Sequence, residues 1–281
     1  MRLMRNMPGL TAGAAALWAA MPAAAQELET IGKPHWGGIG FQSASTELAR
    51  DLQWLDHMLM WIIVPIVVLV VGLLLFIIFR FNRKANPTPA SFTHNSPLEI
   101  AWTIVPILIL MFIGAFSLPT LFKQQVIPDG DIHIKVTGYQ WYWGYEYADV
   151  EGLEYEGFLL PREELADYGY NPDEYLLATD TAVIVPVGKT VVMTVTGADV
   201  IHSWTIPAFG VKQDAVPGRF AQLWFKPEKE GIFFGQCSEL CGKDHAFMPI
   251  TVKVVSQEVY DAWLAASTAA GGYVPLSDLS V

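Results

Sequence analysis

Two uncharged apolar runs limit what this 281-residue chain can become: Met58 to Phe79, 22 residues, and Ile100 to Phe122, 23 residues. As helices rising about 1.5 Å per residue, each is long enough to cross the roughly 30 Å of a bilayer's hydrocarbon core. Pro65, Pro106 and Pro119 would break helices in water but are tolerated in a membrane bundle. A buried pair of soluble helices is the competing reading, and two runs of this length weigh against it. The connection carries Arg80, Arg83 and Lys84 with no acid before Glu99, which assigns it to the cytoplasmic side. The chain before Met58 and everything after Phe122 then lie outside.

The first 25 residues agree. Arg2 and Arg5 form a basic start, Gly9 to Ala20 is apolar, and Ala23-Ala24-Ala25 precedes Gln26 as a small-residue cleavage site, the features of a secretory leader. The expected organisation is a leader over 1–25, an outer segment over 26–57, membrane helices over 58–79 and 99–122 with a cytoplasmic loop over 80–98, an exported domain over 123–255, and a helix and loosely held tail over 256–281.

From Lys123 onward there are 22 Asp and Glu against 10 Lys and Arg, a formal charge of 10 − 22 = −12, against −11 for the whole chain. This argues against nucleic acid as a partner. An acid cluster is most often a solvated face, but this field would also steer a basic partner towards the domain. Ile132 to Val136 and Ile250 to Val254 alternate as strands do, and Val191 to Thr196 does so in part. Turn signals such as Pro128-Asp129-Gly130, Pro217-Gly218 and Glu230-Gly231 separate them. The expected fold is a two-helix transmembrane hairpin followed by an all-β, cupredoxin-like Greek-key sandwich or barrel. Glu163 to Tyr175 reads as a helical or loop insertion, and Ser256 caps a short helix running to Ala266.

The chemistry concentrates in Cys237-Ser238-Glu239-Leu240-Cys241-Gly242-Lys243-Asp244-His245-Ala246-Phe247-Met248, which holds both cysteines of the chain. Two thiolates, an imidazole and a thioether suit copper better than magnesium, calcium or manganese. His202 stands 35 residues earlier, in the apolar run Val200 to Trp204, where a lone histidine is more often a satisfied core residue. The strand pattern brings it towards a loop joining Ile232-Phe233-Phe234 to the strand near Ile250. A disulfide, a redox pair, a zinc site and a copper chaperone remain open on spacing alone. Zinc leaves Met248 unexplained. Blue-copper sites use two His, one Cys and a distant Met; a second, bridging Cys would make the site dinuclear.

These residues resemble subunit II of the haem-copper cytochrome c oxidases, of the bacterial type, from about Gln42 to Leu264. The resemblance is carried by GQCSELCGKDHAFMP (Gly235 to Pro249), IHSWTIPAFGVKQDAVPGR (Ile201 to Arg219), YQWYWGYEY (Tyr139 to Tyr147) and PLEIAWTIVP (Pro97 to Pro106). It implies a dinuclear copper A (CuA) centre bridged by Cys237 and Cys241, with His202 and His245 binding one copper each. Met248 and the carbonyl of Glu239 would be weak ligands, and the Glu239 carboxylate would help hold a magnesium ion shared with subunit I. Trp141 would be where electrons enter from cytochrome c, while Trp143 reads as packing. Glu146, Glu154, Asp180 and Asp199 would dock that basic donor. Glu99 matches the mouth of a proton-conducting path, although Ser96-Pro97-Leu98-Glu99 also reads as a capping box with Pro at the first helical position. The implied role is to accept electrons outside a bacterial inner membrane. They would pass to haem in subunit I, where oxygen is reduced to water with proton pumping. Subunit III and lipid complete the expected surroundings. A membrane-tethered copper carrier or stand-alone redox protein is the alternative.

Overall fold

The computed structural model describes residues 28–279; the leader read over 1–25 lies outside the described residues. Two long helices form the hairpin: α1, Glu47–Arg80, and α2, Ser96–Gln125. Both exceed the apolar runs. α1 starts eleven residues before Met58, and that polar extension, about 16 Å long at helical rise, stands outside the membrane-spanning part. Its cap explains where it begins. Thr46 Oγ1 accepts from Ala49 N at 3.0 Å and donates to the Phe209 carbonyl at 2.7 Å, so one hydroxyl starts the helix and fastens it to the exported domain. Arg50 pairs with Glu228, and Lys123 at the end of α2 pairs with Asp51 at 2.6 Å and with Glu47. No side chain over the two apolar runs is buried, as a lipid-facing hairpin requires.

The start of α2 differs by one residue from the sequence reading. Asn95, not Ser96, is the cap: its side chain accepts from Leu98 N at 3.2 Å, and Pro97 falls at the second helical position. An Asn carbonyl caps as well as a serine hydroxyl. The Glu99 carboxylate still reaches back, accepting from Asn95 N at 3.3 Å.

The domain is a sandwich of eleven strands, the first supplied by the chain before the hairpin: β1 Thr30–Gly32, β2 Ile132–Tyr139, β3 Tyr142–Tyr147, β4 Glu154–Gly157, β5 Val183–Pro186, β6 Val191–Gly197, β7 His202–Ile206, β8 Val211–Ala215, β9 Ala221–Phe225, β10 Gly231–Gln236 and β11 Pro249–Val255. One sheet has the order β4-β3-β2-β6-β9 and the other β1-β10-β11-β5, with β7 and β8 as a separate hairpin. Alternation in β2 places Ile132, Ile134 and Val136 inward. They meet Trp204, Phe209, Phe225 and Phe233 in one core. β7 packs tightly against β10: a Cβ on Gly235 would stand 1.8 Å from the Thr205 carbonyl oxygen, so only glycine fits there.

Of the helix or loop expected over 163–175, the chain has the loop, a series of turns ending in one 3₁₀ turn, Pro172–Glu174. It covers a second apolar cluster containing Leu165, Tyr170, Ile232 and Phe234, and Lys33 clamps it through Asp173 at 2.9 Å and the buried Glu174 at 3.1 Å. The final helix, α3 Gln257–Ala270, keeps its Ser256 cap but runs four residues past Ala266. The tail is not loose up to Leu279. The buried Trp263 indole donates to the Val274 carbonyl at 3.0 Å, and Val274 N donates to the buried Ser267 hydroxyl at 3.3 Å.

Candidate metal centre

Antiparallel β10 and β11 end in register at Gln236 and Pro249, so the twelve-residue loop between them opens and closes at one point. Cys237 is the first residue after β10, and Met248 the last before β11. His202, the first residue of β7, reaches them from the separate hairpin. Cys237, Cys241, Met248 and His202 are buried, and His245 is half-buried.

The donors converge. Cys237 Sγ lies 3.8 Å from Cys241 Sγ, 3.9 Å from His202 Nδ1 and 3.3 Å from the Glu239 carbonyl oxygen. Cys241 Sγ lies 3.5 Å from both His245 Nδ1 and Met248 Sδ. A disulfide needs about 2.05 Å between sulfurs, and both cysteines are free. Soft donors held about 2.0–2.3 Å from a shared ion stand roughly 3–4 Å apart, so the spacing fits metal ligation. Five soft side chains plus a carbonyl exceed the four ligands of a zinc site and fit copper, which alone accounts for the thioether.

Electrostatics prepare the thiols unequally. Burial would push the Cys237 thiol up, but hydrogen bonds from His202 and from the backbone outweigh it and bring the thiol down. Burial and then the Cys237 thiolate push Cys241 up. Burial would lower His202, but the Cys237 sulfur and the Asp199 carboxylate raise it. Cys237 is therefore the more acidic of the two thiols, and a cation that binds both displaces their protons.

The Gln140–Trp141 turn between β2 and β3 lies over this loop. Gln140 Nε2 and Trp141 Nε1 both donate to the Cys241 carbonyl, at 2.8 and 3.3 Å. Trp141 is half-buried, with Lys243 Nζ 5.3 Å from its ring centroid. Trp143 is fully buried, donates to the Met248 carbonyl at 3.2 Å, and stands edge-on to the His202 ring at 5.9 Å. That bond escapes sequence reasoning, because an inward strand tryptophan signals only packing.

The remaining residues are spread out. Glu239 is exposed, with only its carbonyl turned to Cys237. Glu146 pairs with Lys135 at 2.7 Å and faces Glu154 across β3 and β4. Asp180 is half-buried, its carboxyl raised by burial, and accepts from Phe158 N at 2.8 Å. Asp199 accepts from His202 Nε2 at 2.8 Å, a contact the sequence did not signal. Glu99 sits in the first turn of α2, at the end of that helix away from the β domain.

Two families match the chain. The one described as cytochrome c oxidase subunit II, periplasmic domain, matches residues 132–255, and the corresponding transmembrane domain matches residues 34–120. The chain is 58% identical to cytochrome c oxidase subunit 2 of Cereibacter sphaeroides, over 99% of this chain and 96% of that one. It is 40% identical to cytochrome c oxidase subunit 2 of Arabidopsis thaliana, over 81% and 88% respectively. Among solved structures, the periplasmic domain of subunit II of cytochrome oxidase from Bradyrhizobium japonicum is 46% identical, with a TM-score of 0.47, covering 52% of this chain and 99% of that domain.

Proposed function

The chain belongs to the cytochrome c oxidase subunit II family, and on that premise we propose how its residues share the work of accepting electrons. It is the electron-accepting subunit of a haem-copper oxidase, an oxidoreductase complex in which subunit I is its partner. It is an inner-membrane protein with its β domain on the periplasmic side. That domain implies the CuA centre, with His202, Cys237 and Cys241 as candidate ligands.

The finer assignment is ours. Cys237, Cys241, His202 and His245 would hold two copper ions, the thiolates shared between them, with Met248 and the Glu239 carbonyl as weak donors. The observation carrying this reading is the chain of donor separations from 3.3 to 3.9 Å through all six residues. Bound there, dinuclear copper would supply one-electron redox chemistry with the charge shared between two ions. Burial of Cys237, Cys241 and His202 keeps water from that charge. Trp141, half-exposed and bonded to the Cys241 carbonyl, gives an electron from basic cytochrome c a short path inward. Glu146, Glu154 and Asp180 contribute negative charge for that donor. The exposed Glu239 side chain is free to hold magnesium against subunit I, which carries the haem. Glu99, with its carboxylate at the inner end of α2, serves as a proton-path entrance as well as a cap. Subunit III and lipid cover the rest of the hairpin. A copper carrier working alone is not favoured by the family membership.

Metal analysis and electron spin resonance of the assembled oxidase test the assignment. Two copper ions per chain and one unpaired electron shared by both nuclei are expected, and Cys237→Ser should abolish that signal. A single copper, zinc, or a shared-electron signal that survives Cys237→Ser would refute it.

A further inference from the structure

The family resemblance counts Asp199 among the acids that attract a basic donor, but both of its carboxylate oxygens are committed inside the domain. Oδ1 accepts from Val200 N at 2.6 Å and from His202 Nε2 at 2.8 Å, and Oδ2 accepts from Gln140 N at 2.7 Å. The His202 side chain is fully buried, while that of Asp199 is 34% exposed. With Nε2 committed to the carboxylate, Nδ1, which faces Cys237 Sγ, is the nitrogen left for a metal, its own proton leaving when a cation enters. The ring has little freedom on its other side, where a Cβ on Gly138 would come within 2.9 Å of it.

The second oxygen reaches further. Gln140, held by its backbone amide, sends its side chain to the Cys241 carbonyl beside the Trp141 indole. One carboxylate therefore braces a metal-ligand imidazole from behind and the turn that carries the surface indole.

We propose that Asp199 is a positioning residue, which fixes the tautomer and orientation of His202 and registers the Gln140–Trp141 turn against the Cys237–Met248 loop. The proposal rests on the reading of His202 as a copper ligand. Carboxylates behind metal-bound histidines commonly set ligand geometry and basicity, and losing one costs about 10- to 100-fold in metal affinity.

The test compares Asp199→Ala and Asp199→Asn in the assembled oxidase, with Glu146→Gln as control for a surface charge. Copper retention against a chelator, the electron spin resonance pattern and the reduction potential are measured. Asn keeps an acceptor oxygen but no charge, and Ala keeps neither. Ala should lose copper about 10- to 100-fold more readily and change the hyperfine pattern, and Asn should restore both. Both variants should raise the potential, because the oxidised centre loses a nearby negative charge. A tenfold preferential weakening of the oxidised state corresponds to about 59 mV for one electron. If both variants keep wild-type retention, pattern and potential while only the donor's KM rises, Asp199 is a docking charge and the proposal fails. If Ala does not assemble, Asn against Glu146→Gln decides: a shift from the first alone supports the proposal, and equal responses overturn it. Loss of the two-copper signal from the unaltered chain would instead remove the ligand reading of His202.

Discussion

Lys253 points to the outer side of β11, yet Tyr170 from the 158–180 segment lies over it, with Nζ 5.0 Å from the ring centroid. Among the described residues no carboxylate stands within ion-pair distance of it. Burial pushes its amine down to about 8. The unfolded amine titrates near 10.4, so between about pH 8 and 10.4 the unfolded chain binds more protons and stability rises with pH. At neutral pH the amine is charged in both states and the desolvation cost is fully present. Lys253→Met should therefore stabilise the chain by on the order of 2 kcal/mol at pH 7 and remove that rise. Unfolding measured at pH 7 and pH 9.5 checks this, and an unchanged gap between the two pH values refutes it. Cys237, Cys241, His245 and Met248 were legible as a site because they lie within one loop, and His202 through the strand pattern. Asp199 and Gln140 were not, since a loop acid three residues before a histidine has no periodicity to reveal its contact.

Helix α1 shows how an element can be legible in its middle and hidden at its ends. Met58 to Phe79 was visible because lipid demands uninterrupted apolar residues. Glu47 to His57 mixes charges with Leu48, Leu52 and Leu55, and its helical state depends on packing against the domain. Thr46 is the joint between the two. Thr46→Ala removes the cap on Ala49 N and the bond to the Phe209 carbonyl, and should cost about 1–2 kcal/mol. Thr46→Ser should recover most of it, and thermal unfolding of the three chains decides; equal melting temperatures would show that the joint carries no load. Among strands, alternation exposed β2 and β11. β5 is buried at every position and β1 is only three residues long, so neither offers a period of two. The 163–175 insertion was ambiguous because its order comes from Lys33 and from the apolar cluster beneath it, both distant in sequence.

On the scale of the molecule, the charge from Lys123 onward, 10 − 22 = −12, gives the exported domain a net negative field. Raising ionic strength from about 0.01 to 0.15 M shortens the screening length from about 30 to 8 Å. The oxidase's kcat/KM with a basic cytochrome c should fall steeply over that range while kcat holds, and Glu146→Gln with Glu154→Gln should flatten the slope. A profile independent of salt would rule out steering. The same scale gives meaning to β1. It precedes both membrane crossings, and its neighbour β10, which leads directly into Cys237, follows them. A hairpin inserted only halfway, with a single crossing, would leave these two strands in different compartments, where no later folding could unite them. A completed sheet is thus a record that both crossings were made, and the copper loop follows directly on the strand where that record is written.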